Sequence, residues 1–224
     1  MMNFQIVHIK RWLVSCLLFF AVACTRPAAS TLPVYDDHAY ELEDLTVQFS
    51  AIQQAKKQVK NGDLVLRTGR DFTSDIMRRM SEHDKRYSHA GIASWENDSL
   101  FVYHALGGEW NPDQTIRRDT FGFFCNPYEN SGFAVYRYAV ANPMKENFVR
   151  IARRYFEQKV RFDMQFDLET NDRMYCSEFV YKTIRSAGDD SLQLNTTTTG
   201  KWKYVTIENL AYSDKAEEVL NVRF

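Results

Sequence analysis

Two strand-like runs, Ser88-His89-Ala90-Gly91-Ile92-Ala93-Ser94-Trp95 and Ser99-Leu100-Phe101-Val102-Tyr103-His104-Ala105, flank the turn residues Glu96-Asn97-Asp98. Apolar residues in that arrangement predict a β-hairpin, so the chain commits to antiparallel pairing. Counted from the turn, His89 and His104 stand about eight and seven positions out, close enough to face each other across the ladder.

The remaining elements extend this plan. Residues 42–60 read as a helix, with Leu45, Phe49, Ile52, Ala55 and Val59 at helical spacing and Asn61-Gly62 as its stop. Asp63–Arg67 is a short strand, and Phe72–Met80 a helix capped by Thr73 or Ser74 with Ile76, Met77 and Met80 inward. Phe133–Ala139 is another strand, and Asn147–Val160 a strongly amphipathic helix. A further helix opens at Cys176, turns Phe179, Val180 and Ile184 inward and ends at Gly188. Asn195–Gly200 reads as a polar loop, and Lys203–Leu210 and Glu217–Phe224 as closing strands. Hairpin-linked strands and bunched helices predict an α+β fold with an antiparallel sheet packed by helices.

The amino terminus reads as a separate segment. Lys10 and Arg11 precede about a dozen apolar residues, fewer than the roughly 20 a membrane span needs, so residues 1–23 fit a secretory signal. Ala21-Val22-Ala23-Cys24 resembles a bacterial lipoprotein cleavage box with Cys24 as the lipidated residue; an ordinary Ala-Val-Ala cleavage site and a retained anchor are the other readings. Residues 24–41 would then be a tether and 42–224 the folded domain. Lys+Arg 28 against Asp+Glu 29 gives a net charge of −1, which becomes −3 when Lys10 and Arg11 leave with the signal. Such a chain does not carry the basic excess of a nucleic-acid binder, and its hold on a membrane would be the lipid on Cys24.

Chemistry concentrates in few residues. Cys16 leaves with the signal and Cys24 lies at its end, so Cys125 and Cys176 are the two cysteines of the domain, and in an oxidising compartment they have the option of a disulfide. Cys176 opens a helix, where the positive end of the dipole lowers a thiol pKa and favours the nucleophilic thiolate. A thiol nucleophile needs a base, and imidazole suits neutral pH. His38 and His83 sit among polar surface residues and His8 lies in the signal, so His89 and His104 are the candidates, one as base and the other as its orienter. No close-spaced ligand pair such as Cys-x-x-Cys is present, so a metal trio of His89, His104 and Cys176 is a remote alternative, and the thiol chemistry calls for no cofactor.

Gly62-Asp63-Leu64-Val65-Leu66, Ser88-His89-Ala90-Gly91-Ile92 and Tyr175-Cys176-Ser177-Glu178-Phe179-Val180-Tyr181 together resemble the NlpC/P60 superfamily of papain-like cysteine hydrolases. The cysteine motif comes last, an order that resembles the circularly permuted, YiiX/YebB-like branch. The resemblance implies a permuted papain-like fold and a hydrolase of amide bonds with Cys176 as nucleophile, His89 as base and His104 in third place. It also implies an oxyanion hole at the Cys176 backbone N–H, with Tyr175, Ser177 and Ser88 lining the substrate cleft. Glu178 and Asp63 divide evenly between structural and site roles. Expected substrates are a peptide, a cell-wall fragment or a lipid-derived small molecule. Lipid acyl transfer or hydrolysis through the same Cys–His pair, in a permuted order shared with lecithin–retinol acyltransferase-like proteins, and a non-catalytic binding lipoprotein are the alternatives.

Overall fold

The computed structural model describes residues 45–224 apart from 109, 110, 112 and 189–191. The signal, the tether and Cys24 lie outside the described residues. In chain order the elements are α1 (Thr46–Lys56), β1 (Leu64–Gly69), α2 (Phe72–Arg78), β2 (His89–Glu96), β3 (Ser99–His104), β4 (Arg117–Thr120), α3 (Phe121–Phe124), β5 (Asn130–Tyr138), α4 (Asn142–Glu157), α5 (Cys176–Ser186), β6 (Thr197–Thr199), β7 (Trp202–Tyr204), α6 (Ile207–Ala211) and β8 (Ala216–Arg223).

Six strands form one antiparallel sheet in the order β4-β3-β2-β1-β5-β8. The α+β reading therefore holds. The hairpin turn is the one expected, with Asn97 and Asp98 both at positive φ (45° and 65°), as a tight primed turn requires. The central strands are covered on both faces, which is why β1 and the first part of β2 read as unbroken apolar runs. One face carries Leu64, Leu66, Ala90 and Ile92 against Phe148 and Ala152 of α4 and Phe179, Val180 and Ile184 of α5. The other carries Val65, Ala93, Val102 and Val135 against Ile52 of α1 and Phe121 and Phe124 of α3.

Several elements depart from expectation. The α2 cap is Asp71, whose carboxylate accepts the Ser74 N–H at 2.9 Å, and this seven-residue helix buries none of its residues; Met80, just beyond it, packs on the core. Helix α4 starts at Asn142, with Pro143 in its first turn where no N–H partner is needed. The stretch expected as a loop contributes β6, which pairs with β7 around Gly200. The strand expected over Lys203–Leu210 ends at Tyr204, because Thr206 and Asn209 cap each other across the first turn of α6. Strand β4 and helix α3 were not foreseen.

Candidate active site

The hairpin carries the centre of the site. Its register pairs Glu96 with Ser99 and Ile92 with Tyr103, so one further step sets His104 against Gly91 and leaves His89 two residues beyond, on the same face. The two histidines are thus diagonal rather than opposite, and Gly91 occupies the place between. A Cβ on Gly91 would lie 2.5 Å from Val102 Cγ1, 2.7 Å from the Tyr103 carbonyl oxygen and 3.1 Å from His104 Cβ. The missing side chain lets the rings meet: His89 Nε2 lies 2.8 Å from His104 Nδ1, with the ring planes at 88°.

The row continues across the sheet. His104 pairs with Arg117 on β4, and Asp119, two residues on, places Oδ2 2.9 Å from His104 Nε2. Arg117 holds the same carboxylate at 2.9 Å and 3.0 Å. On the other side of β2, Arg67 of β1 stands directly opposite His89. Arg67, His89, His104 and Asp119 therefore come from four neighbouring strands, and the first three pack on the Phe124 ring at 4.9, 5.6 and 5.0 Å. Asp119 was missed in the sequence because β4 was missed; nothing in Arg117-Arg118-Asp119-Thr120 marks it as facing a histidine.

Cys176 arrives from the opposite side. Tyr175, Phe179 and Val180 pack α5 against the Ala90 and Ile92 face, whereas the two imidazoles project from the other face of β2 toward Phe124. Alternation along β2 sends the Ala90 N–H toward the edge where β3 leaves β2, since Ala93 N–H bonds β1 at Asp63. The Ala90 N–H and the Ser177 N–H and hydroxyl lie against the sulfur. The thiol thus rests beside the residue that follows His89. Among the described residues no hydrogen bond joins the thiol to the His89 ring; in enzymes without substrate such contacts are often long and tighten on binding. Cys125 and Cys176 are both free and buried, so they form no disulfide.

Burial sets the resting charges. Cys176 is 2% exposed and His89 6%. Burial pushes the Cys176 thiol up to about 11, overriding the N–H groups that pull it down, so the lowered pKa expected from the helix terminus does not hold. Burial, with the charge of Arg67, holds His89 well below 6.5. Burial also lowers His104 to about 4, although Asp119 opposes it, while Asp119 itself lies near 2: its hydrogen bonds from His104 and Arg117 outweigh burial, the largest single influence, which raises it. At neutral pH the site holds a thiol, two neutral imidazoles and a carboxylate.

The residues expected to line the cleft have other work. Tyr175 is fully buried, and its hydroxyl accepts the Val205 N–H at 2.7 Å. Ser177 donates to the Val205 carbonyl at 2.8 Å. Ser88 is buried and accepts the Gly69 N–H at 2.9 Å. These three bonds anchor the ends of α5 and β1. Glu178 and Asp63 both make contacts that hold local structure. Glu178 accepts the Tyr175 N–H at 3.1 Å and pairs with Lys182 at 2.8 Å. Asp63 closes the turn at the Lys60 N–H and holds Arg137 at 2.8 and 2.7 Å.

Residues 58–208 match the family described as permuted papain-like amidase enzyme, YaeF/YiiX, C92 family. The chain belongs to that family. Membership makes it an enzyme of the cysteine-hydrolase kind with a permuted papain-like fold. A solved structure from Escherichia coli O157:H7, described as the metalloprotein yiiX, shares the fold of this C92 chain with a TM-score of 0.60 at 17% identity, covering 75% of this chain and 99% of that one. No curated protein matches. The metal in the yiiX description belongs to yiiX. Here His89, His104 and Asp119 are bonded to one another, and the described residues offer no group of three or more His, Cys, Asp or Glu side chains that could hold a metal ion. The donor set does not fit one.

Proposed function

We propose that the chain is an exported amidase in which Cys176 attacks the carbonyl carbon of an amide and His89 moves the proton. The observation that carries this reading is the hydrogen-bonded series from His89 through His104 to Asp119, at 2.8 and 2.9 Å. A carboxylate only accepts, so His104 must carry its proton on Nε2. His104 Nδ1 is then bare and accepts from His89 Nε2–H. His89 Nδ1 is left bare in turn, and that is the nitrogen available to a thiol. One fixed charge on β4 thus sets the tautomer of a base two strands away.

With a buried thiol and a buried neutral imidazole, an ion pair formed in advance is uphill. The proton leaves Cys176 for His89 Nδ1 as sulfur bonds to the carbonyl carbon. The carbonyl oxygen becomes an oxyanion, and its donor in this reading is the Cys176 backbone N–H at the first position of α5, where a helix leaves its N–H groups unbonded. The imidazolium is stabilised through His104 by Asp119 and gives its proton to the departing amine. Water, deprotonated by His89, then attacks the thioester and releases the acid and the thiol.

The expected substrates are peptide, cell-wall or N-acyl amides. Export and anchoring through Cys24 are part of the same proposal and rest on residues 10–27; intact mass of the membrane fraction tests them. The catalytic assignment is tested with Cys176→Ala and His89→Ala on an N-acyl amide. Each is expected to lose at least about a thousandfold in kcat, as removal of a nucleophile or its base does, with circular dichroism unchanged. Turnover by either variant at the wild-type rate overturns it, and a rate for long-chain esters above that for every amide would favour lipid acyl chemistry instead.

A further inference from the structure

Among the described residues, no carboxylate pairs with Arg67. Its side chain stands opposite His89 on the same sheet face and lies over the Phe124 ring. One guanidinium nitrogen donates to the Phe124 carbonyl at 3.2 Å, while Nε is buried without a hydrogen-bond partner among the described residues. The acids near enough to be felt are otherwise engaged or remain apart: Asp71 caps α2, Asp119 holds His104 and Arg117, and Glu129 makes no ion pair with it. Around it lie Cys125, its thiol kept neutral by burial, and Phe133, opposite on β5.

A partly buried guanidinium without a carboxylate is costly to keep. Here it also works against the proposed chemistry, because its charge disfavours a proton on His89. An anion beside Arg67 would remove both penalties together. A guanidinium matches the two-oxygen edge of a carboxylate or phosphate in geometry as well as charge.

We infer that Arg67 recognises an anionic oxygen group, carboxylate or phosphate, carried by the substrate close to the amide that Cys176 attacks. This inference rests on Cys176 being the nucleophile. It defines the substrate class as acidic amides, such as N-acyl amino acids or peptides with a free carboxylate, or amides of a phosphorylated amine. Filling the subsite neutralises Arg67 and leaves His89 freer to accept the thiol proton, so the correct substrate improves its own base.

The test compares alkylation of Cys176 by iodoacetate, which carries a carboxylate, and by neutral iodoacetamide, read by peptide mass. Arg67→Gln is expected to lower the iodoacetate-to-iodoacetamide rate ratio about tenfold or more, the scale of a charge-assisted bidentate contact, and Arg67→Lys to restore part of it. In the wild type at constant ionic strength, sodium acetate or sodium phosphate should slow iodoacetate without slowing iodoacetamide. The stronger competitor identifies which oxyanion is preferred. A ratio unchanged by Arg67→Gln, with no protection by either salt in the wild type, overturns the inference. If Cys176 takes up neither reagent in the wild type, the ratio is read instead as kcat/KM for an amide bearing a carboxylate over its neutral carboxamide analogue, where a ratio unchanged by Arg67→Gln overturns the inference, while turnover by Cys176→Ala at the wild-type rate fails the nucleophile assignment.

Discussion

At the scale of single residues, the direction of a few N–H bonds decides whether His89 can act. Asp119 accepts from His104, and Arg117 donates to the same carboxylate. In Asp119→Asn the amide has one oxygen for two claimants. Arg117 has only donors, so it takes the oxygen and leaves the NH2 facing His104. His104 must then bare Nε2 and protonate Nδ1, which strips the proton from His89 Nε2 and places it on Nδ1, where a base must be empty. Asp119→Asn is therefore expected to lower kcat by about ten-thousandfold, as a wrong tautomer does in a serine triad. Asp119→Ala, which leaves the rings free to choose, should cost less. Comparing kcat of the two variants on one amide checks this, and equal losses would rule out the tautomer mechanism. The pair of histidines was legible because both lie on one hairpin. Asp119 was not, since a four-residue edge strand has no periodicity to read. Arg67 was visible only as the end of a strand, because an unpaired cation is defined by what fails to surround it.

At the scale of elements, the site depends on how tightly β2 and β3 approach at Gly91. Gly91→Ala would place a methyl 2.7 Å from the Tyr103 carbonyl oxygen, which is backbone and cannot swing away. The variant is expected to lose about 1–3 kcal/mol of stability, the usual cost of overpacking, read as a lower Tm, and to lose activity beyond that as the imidazoles separate. A Gly91→Ala variant with wild-type Tm and kcat would show that the approach is looser. Helix α5 was legible because its apolar stripe is long; its origin at Cys176 fell where expected. The helix dipole nevertheless failed to predict the thiol, because a sequence does not show that α5 delivers Cys176 to a buried position, where desolvation outweighs the terminus. The exchange of a strand for α6 has a similar cause. The reciprocal cap of Thr206 and Asn209 is a local signal that was outvoted by the apolar run around it.

At the scale of the whole molecule, the buried site ties stability to pH. His104 falls from 6.5 in the unfolded chain to about 4 in the fold, and His89 is lowered in the same direction. Between those limits the unfolded chain takes up protons that the folded one refuses, so stability is present above pH 6.5 and is lost as pH falls toward 4. Glu178 acts oppositely: burial raises it from 4.5 to about 7, so its contribution is full below 4.5 and is lost as pH rises through 7. With two histidines against one glutamate, Tm is expected to fall from pH 6.5 to pH 4, and a flat Tm there would show that the imidazoles are not held neutral. The permuted order of the chain, with the hairpin before the cysteine helix, leaves the candidate centre as two pieces that meet at β2, where the Ala90 N–H lies by the Cys176 sulfur. The proposed chemistry depends on their cooperation. Rapid mixing of the enzyme with an N-acyl anilide, followed by acid quench and intact mass, tests that cooperation at the reacting atoms. One acyl group per chain, on Cys176, is expected to form before steady state in the wild type and to be absent in His89→Ala. Anilide hydrolysis with no acyl group on Cys176 at any time, or an acyl-enzyme forming at an undiminished rate without His89, would refute it.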